Sequence, residues 1–225
     1  MPTRASARRE YRPRTISWAA VLFVLLLARP SVAAEAFSLG TAEFDVGPNY
    51  GFYIAEDEEI PDTNGPGAHL TGGYTLSMAM YLGGEANYFV GRTETVEYEG
   101  VVADINWTVL QFGAELGYDW PLASRFILRP KLGLGYARIT FDVHADDVLG
   151  PGSDLRFSDT YGGLVLPLGL DLCYALGERW LLATKFRYGY TTITVDVRDQ
   201  NLQKVGERDQ HAHGVVLGLG AGMRF

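Results

Sequence analysis

Two histidines near the C-terminus, His211 and His213, have the type and spacing that could bind a metal ion. Residues i and i+2 of an extended strand share a face, and imidazoles are common zinc ligands. The sequence places no third ligand beside them, however. We therefore predict that the pair is a polar feature of the protein surface and that the chain holds no metal.

Two other features could do chemistry, and each has a simpler explanation. The acidic run 56–59, with Asp62 and Asn64, offers oxygen ligands but lacks the regular spacing of a calcium loop, so we expect a solvated loop. Cys173 is the single cysteine, which excludes an internal disulfide and favours a packing role. No nucleophile–base pair or glycine-rich phosphate loop is recognisable. We predict no catalytic residue and no cofactor.

The elements that carry these residues are short segments of alternating polarity. Side chains alternate between the two faces of a strand, so the parity of the residue number separates the faces. In the last segment one face is wholly apolar: Val215, Leu217, Leu219, Ala221, Met223 and Phe225. The same pattern recurs in seven earlier segments, 41–54, 67–76, 79–91, 105–120, 126–143, 160–176 and 180–197.

Eight such segments predict an all-β fold, an eight-stranded antiparallel transmembrane up-and-down β-barrel. Charged residues share the face opposite the apolar one, whereas a soluble sandwich or lipocalin-like barrel turns its apolar face inward. Short links at 77–78, 121–125 and 177–179 alternate with long polar links at 56–66, 92–103, 144–159 and 198–210. This asymmetry is typical of periplasmic turns and external loops. It places the start of the first strand and the end of the last strand on the periplasmic side.

Irregularities interrupt the pattern in four places. The apolar parity reverses near residues 138–139 and again near 191–193. Bulges, or strands that rise above the lipid, would each explain the reversals. Pro130 and Pro167 lie inside strands, where each removes a ladder donor, so we expect local bulges at both prolines.

The N-terminal residues are typical of an export signal. Five arginines precede the apolar run 18–28, and small residues at 32–34 fit a cleavage site before Glu35, with a second possible site after Ala36. The run is shorter than the ~20 residues of a spanning helix, which argues against an uncleaved anchor. We predict a signal peptide at 1–34 and a β-barrel domain at 35–225.

The acidic balance of the mature chain argues against nucleic acid as a partner. The signal contains six arginines and one glutamate, so the 19 basic and 27 acidic residues of the whole chain fall to 13 and 26. The formal charge then changes from −8 to −13.

Inward-facing charges cluster at one level of the predicted barrel, about four to seven residues from the periplasmic end. The set is Glu85, Glu115, Arg129, Lys131, Asp171, Lys185 and Arg187, with Asp119, Glu43 and Asp45 contributing from nearby. A charge inside a narrow barrel must be paired, and eight strands leave an interior just large enough for side chains. We therefore predict a structural ion network that fills the lumen. The alternative is a selectivity ring in a conducting pore.

The C-terminal run 220–225 resembles the signal that the outer-membrane barrel assembly machinery recognises, with terminal Phe225, apolar Met223 and upstream Gly220. Together with segment 73–89, it makes the chain similar to small barrels of the OmpA/OmpX-like family of outer-membrane β-barrel domains. The resemblance implies the outer membrane of a Gram-negative bacterium. It also implies contact with outer-membrane lipid and lipopolysaccharide, and with the assembly machinery and periplasmic chaperones.

Members of this family differ in activity, and they include anchors, adhesins, small-solute channels and a few lipid-modifying enzymes. Lipid A deacylases use an outward histidine and serine near the C-terminus, but this chain has His213 where that serine is expected. The sequence therefore favours a monomeric, non-enzymatic barrel with a plugged lumen and a structural or surface-interaction role. The alternatives are a small-solute channel and a lipid A-modifying enzyme.

Overall fold

The computed structural model describes residues 40–55, 63–76, 78–91, 94–98, 101–146, 154–198 and 204–225. All of them lie in one compact unit, Ala33–Phe225. They form ten strands: β1 Thr41–Ala55, β2 Thr63–Thr75, β3 Met80–Val90, β4 Glu94–Tyr98, β5 Val101–Tyr118, β6 Trp120–Ala123, β7 Phe126–Asp146, β8 Asp154–Ala175, β9 Trp180–Arg198 and β10 Lys204–Arg224. The predicted signal peptide, the acidic run 56–59 and Asp62 lie outside the described residues. No helix in the described segments is long and apolar enough to cross a membrane.

The ten strands form one closed antiparallel sheet. Strand β4 continues the line of β3 along β5, and β6 continues the line of β5 along β7. Strand β10 returns to β1, where Met223 lies opposite Phe44. The sheet therefore closes as an eight-stranded barrel, which confirms the predicted fold. Closure pairs each of the eight barrel strands with two neighbours, counting β3 with β4 and β5 with β6, and leaves no open edge in the lipid.

The C-terminal residue takes part in this closure. The backbone N–H of Phe225 donates to the carbonyl of Ala42 at 2.9 Å, and the N–H of Ala42 donates to the carbonyl of Phe225 at 3.2 Å. The Phe225 ring stacks on Phe44, with ring centroids 5.9 Å apart. The terminal aromatic thus completes the seam between the first and last strands.

Every barrel strand carries an outward run of the same length, and these runs are apolar apart from Thr184 on β9. The runs are 44–54, 66–76, 80–90, 110–120, 126–136, 164–174, 180–190 and 215–225. Each matches the roughly 9–11 residues that a tilted strand needs to cross a bilayer. Large apolar side chains on these runs are exposed on the outside, for example Leu164 at 63% and Leu219 at 61%. Such exposure is stable only where lipid replaces water.

The prediction of bulges at Pro130 and Pro167 is wrong. Pro130 lies opposite Leu170 and Pro167 lies opposite Gly189, and the strand registers do not shift at either proline. In an antiparallel ladder a residue donates its N–H to one neighbour only. Each proline therefore removes one hydrogen bond without shifting the register, although the β7–β8 pairing is interrupted beside Pro167, between Leu132↔Leu168 and Gly135↔Val165.

The parity reversals are not bulges either. Ile139 lies opposite Tyr161 and Ile193 lies opposite Gly163, in the same registers as the residues below them. Both isoleucine side chains are buried inside the barrel, and the outward neighbour Arg138 is exposed. The reversal marks the level at which the strands leave the apolar belt and the lumen becomes apolar.

Candidate functional site: the barrel lumen

Three carboxylates and two cations interlock at the middle of the lumen. The Lys131 ammonium donates to Glu115 at 2.7 Å and to Asp171 at 2.8 Å. The Arg187 guanidinium contacts Glu85 at 2.5 Å and Glu115 at 3.2 Å, and it also pairs with Asp171. Glu115 and Asp171 therefore each bind both cations, which closes the contacts into a ring. Shared, charge-assisted hydrogen bonds of this kind hold long side chains in fixed positions.

A second group lies on the periplasmic side of this ring. The Arg129 guanidinium binds Asp119 at 2.5 Å and also pairs with Glu43. It lies over the Tyr81 ring, 3.9 Å from the centroid, and the Lys131 ammonium is 4.8 Å from the same centroid. Tyr81 is fully buried. Its ring face thus separates the two groups and attracts a cation from each.

Lys185 belongs to a third group on β1, β2 and β9. Its ammonium pairs with Asp45 at 2.7 Å and with the Thr71 hydroxyl. Asp45 also contacts the imidazole of His69 at 3.0 Å. Lys185 therefore forms no direct ion pair with Glu85, although Thr71 links the two residues by donating to Glu85 at 3.4 Å.

Glycines on the inner face make room for these long side chains. A methyl group at Gly73 or Gly83 would overlap the Tyr81 ring, and one at Gly169 would come within 2.9 Å of the Arg187 side chain. The packing of the Tyr81 and Arg187 side chains therefore requires glycine at these positions.

Two diametric contacts follow from the strand order. In the closed sheet β9 and β3 are four positions apart in either direction, and so are β7 and β1. Arg187 on β9 reaches Glu85 on β3, and Arg129 on β7 reaches Glu43 on β1. Each ion pair thus spans the full width of the eight-stranded barrel, and the two pairs lie at successive levels.

The external half of the lumen is filled differently. An apolar cluster lies above the ion network: Tyr53, Phe89, Trp107, Val109, Ile139, Ile193 and Val216. A cavity of about 40 Å³ remains between the cluster and the network, bordered by Glu85, Glu115 and Arg187. That volume has room for only a few water molecules. The buried Tyr53 hydroxyl borders it and has no hydrogen-bond partner among the described residues.

All seven residues of the predicted network line the lumen. Five of them form the ring: Glu85, Glu115, Lys131, Asp171 and Arg187. Lys185 is linked to the ring through Thr71, and Arg129 is linked to it through the Tyr81 ring face. The charge pattern does not reveal His69, Thr71 and Tyr81, although their parity on β2 and β3 is inward. The apolar cluster lies where the apolar parity reverses. Of the two explanations given for that reversal, bulges are excluded by the unchanged register, and the strands continue above the apolar belt.

The proposed assembly residues lie at the periplasmic end of β10. Gly220 faces inward, where a methyl group would overlap the Asp45 carboxylate. Phe225 faces outward and is 69% exposed. Their part in assembly remains a prediction.

The two C-terminal histidines face outward at the external end of β10. The Nδ1 atom of His213 lies 2.6 Å from the Tyr188 hydroxyl, and that of His211 lies 3.3 Å from the Thr192 hydroxyl. Asp209 accepts from Thr194 at 2.9 Å. The structure, within its described segments, contains no group of three or more His, Cys, Asp or Glu that could hold a metal ion.

An apolar outer belt, a charged lumen and closed antiparallel strands together define a transmembrane β-barrel of the outer-membrane type. The family model of the outer membrane protein beta-barrel domain matches residues 19–225, and the chain belongs to this family. The protein is therefore an outer-membrane protein of a Gram-negative bacterium.

Solved structures share this fold at low sequence identity. A major outer membrane protein from Thermus thermophilus is 16% identical, with a TM-score of 0.52, over 82% of this chain and 99% of that one. OprG from Pseudomonas aeruginosa is 14% identical, with a TM-score of 0.51, over 85% and 99%. The Escherichia coli outer membrane protease OmpT is 10% identical, with a TM-score of 0.44, over 87% and 98%. No curated protein matches in sequence. These similarities show the fold alone.

Proposed function

We propose that the protein is a non-enzymatic outer-membrane barrel with a closed lumen, and that its four external loops carry a structural or surface-interaction role. The observation that carries the proposal is the pair of diametric contacts, Arg187 with Glu85 and Arg129 with Glu43. A guanidinium that crosses the lumen at each of two levels blocks a continuous aqueous path.

The energetics of the lumen support closure. Opening a pore would separate buried charges from their partners, and a buried charge without a partner is costly. The apolar cluster on the external side adds a second barrier, because ions do not enter a narrow apolar constriction. The small cavity between the two barriers gives no room for a solute.

The outward histidines support a non-enzymatic role. A hydrolase needs a nucleophile, a base that contacts it and a third group that orients the base. His211 contacts Thr192 through Nδ1, but the nearby Asp209 carboxylate accepts from Thr194 instead. The arrangement is a ladder of hydroxyl and ring contacts that stiffens the strand ends.

Solute uptake tests the closed lumen. The purified protein is reconstituted into liposomes, and swelling is followed in isotonic solutions of glycerol and of a disaccharide. A general porin reconstituted at the same protein-to-lipid ratio serves as the open control. We expect wild-type liposomes to swell no faster than empty ones. Swelling of wild-type liposomes at a rate comparable to that of the porin liposomes would favour a small-solute channel.

Loop replacement tests the external role. In the source bacterium, the gene is replaced by versions in which residues 56–62, 92–103, 147–153 or 199–203, or all four segments together, are exchanged for short turns. We expect the barrel that lacks all four loops to reach the outer membrane but to fail to restore a property lost on gene deletion, for example the barrier to a hydrophobic dye. Full restoration of that property by the barrel without loops would contradict a role for the loops.

A further inference from the structure

A distinct surface lies outside the barrel, at the external limit of the apolar belt. The outward run on β7 ends at Tyr136, and the next outward residue is Arg138, which is exposed. The corresponding first positions above the belt on β5, β8, β9 and β10 are Thr108, Gly162, Thr192 and His213. Within these five described strands, Arg138 is thus the one permanent charge at this level.

Arg138 has no ion-pair partner among the described residues. Its cross-strand neighbours are Leu110 on β5 and Gly162 on β8, and neither carries a charge. The nearest acidic residue on the same face of β7 is Asp142, about 14 Å farther along the strand at 3.4 Å per residue. An exposed guanidinium at the lipid interface without a carboxylate has its five donors available for an anion.

The surroundings of Arg138 add further donors. A methyl group at position 162 would overlap the Tyr136 hydroxyl, so the tyrosine ring extends across β8 over the bare backbone of Gly162. Two residues farther toward the external side on β7 and β8, the Thr140 and Thr160 hydroxyls lie 3.2 Å apart. The Arg138 guanidinium and the hydroxyls of Tyr136, Thr140 and Thr160 thus lie together on the outer face of β7 and β8 at this level.

The height of Arg138 relative to the membrane indicates which molecule binds there. Directly below it the outward face of β8 is formed by leucines, including Leu164, Leu166 and Leu168, all about half exposed. Acyl chains of the outer leaflet must cover these leucines, and the headgroup of the same lipid then lies beside Arg138. The outer leaflet of this membrane consists of phosphorylated glycolipid, whose phosphates carry the charge that a guanidinium binds in bidentate form.

We infer that Arg138, Tyr136 and the Thr140–Thr160 pair form a binding site for a phosphate group on an outer-leaflet glycolipid. Arg138 supplies the charge, and the Tyr136 hydroxyl supplies a second donor to the same phosphate. Gly162 makes room for the Tyr136 ring to lie across β8, which fixes the position of the tyrosine hydroxyl. The site is independent of whether the lumen conducts.

Binding of defined lipids by the folded full chain tests this site. The protein in detergent micelles is titrated with bisphosphorylated lipid A or with enzymatically dephosphorylated lipid A, and bound lipid is counted by native mass spectrometry. We expect wild type to bind the phosphorylated lipid at least about tenfold more tightly, the effect of one charge-assisted contact. Arg138→Ala should lose that preference, and Tyr136→Phe should weaken binding about fivefold.

Two controls make the outcome decisive. Arg156 is also exposed on the outer face, but it lies six residues farther along the sheet, opposite His144. Arg156→Ala should therefore bind both lipids as wild type does. The proposal is overturned if Arg138→Ala keeps the preference for phosphorylated lipid A, if Arg156→Ala loses it equally, or if millimolar inorganic phosphate displaces the lipid, since the site would then bind free phosphate. Circular dichroism confirms that each variant is folded.

Discussion

Removal of the Arg187 guanidinium is the sharpest perturbation of the lumen. Arg187→Met keeps most of the side-chain volume but deletes the charge that contacts Glu85, Glu115 and Asp171. Glu115 and Asp171 would then keep one cation in direct contact, Lys131. Glu85 would keep two neutral hydrogen-bond donors, Asn87 at 2.7 Å and Thr71.

The size of the effect follows from burial. Arg187 is 4% exposed, and removal of one partner of a buried ion pair costs about 3–5 kcal/mol. Because three carboxylates lose the same partner, we expect the upper end, about 5 kcal/mol. The assay is equilibrium unfolding in urea from lipid vesicles, followed by tryptophan fluorescence. Arg156→Met, which removes an exposed guanidinium, should change the free energy of unfolding by less than about 0.5 kcal/mol.

A double-mutant cycle separates the network from simple packing. When Glu85→Gln is added to Arg187→Met, one uncompensated carboxylate disappears, so the double variant should be less destabilised than the sum of the single variants. Coupling energies between contacting charged residues are about 0.5–3 kcal/mol. A cost below about 1 kcal/mol for Arg187→Met, together with strict additivity, would refute the interlocked network.

Three further predictions concern packing, turn geometry and assembly. Gly73→Ala should displace the buried Tyr81 ring and cost about 1–3 kcal/mol in the same unfolding assay. Gly177→Ala should cost about 1–3 kcal/mol, because Gly177 has a φ of +141° that side chains rarely adopt. Phe225→Ala should slow insertion by the reconstituted assembly machinery severalfold, whereas Phe44→Ala, which removes the same ring stack, should insert at the normal rate.

Matched glycines control the first two of these predictions. Gly72 is the outward neighbour of Gly73, and the nearest atom to a methyl group there is 3.9 Å away. Gly206 has no atom within 4 Å of an added methyl group. Gly72→Ala and Gly206→Ala should leave the free energy of unfolding almost unchanged. Losses equal to those of the test variants would show that any alanine in the barrel is harmful, and the steric argument would fail.

Parity alone predicted much of the fold. A period of two separates the apolar face from the charged face on every strand, and this was enough to predict eight strands, the short turns and the inward direction of Lys131 and Arg187. The pattern is reliable here because the environment restricts the residues on both faces of each strand. Lipid excludes charge on the outer face, and the narrow lumen excludes unpaired charge on the inner face.

The partners within the lumen could not be predicted in the same way. Which acid meets which base depends on the heights of strands that are distant in sequence, and parity does not give these heights. Lys185 therefore pairs with Asp45 across β10, and Arg129 rests on Tyr81, an aromatic residue that the charge pattern does not reveal. Parity near Ile139 allowed either a bulge or a strand that rises above the lipid, and it could not decide between them because it does not show that the external half of the lumen is apolar.

Ionic current through single proteins in a planar lipid bilayer tests the closed lumen most directly. At neutral pH and moderate voltage, we predict no steady conductance from wild type, because two guanidinium groups and an apolar cluster cross the path. A general porin in the same bilayer should show clear current steps. Steady open conductance from wild type would contradict the closed lumen.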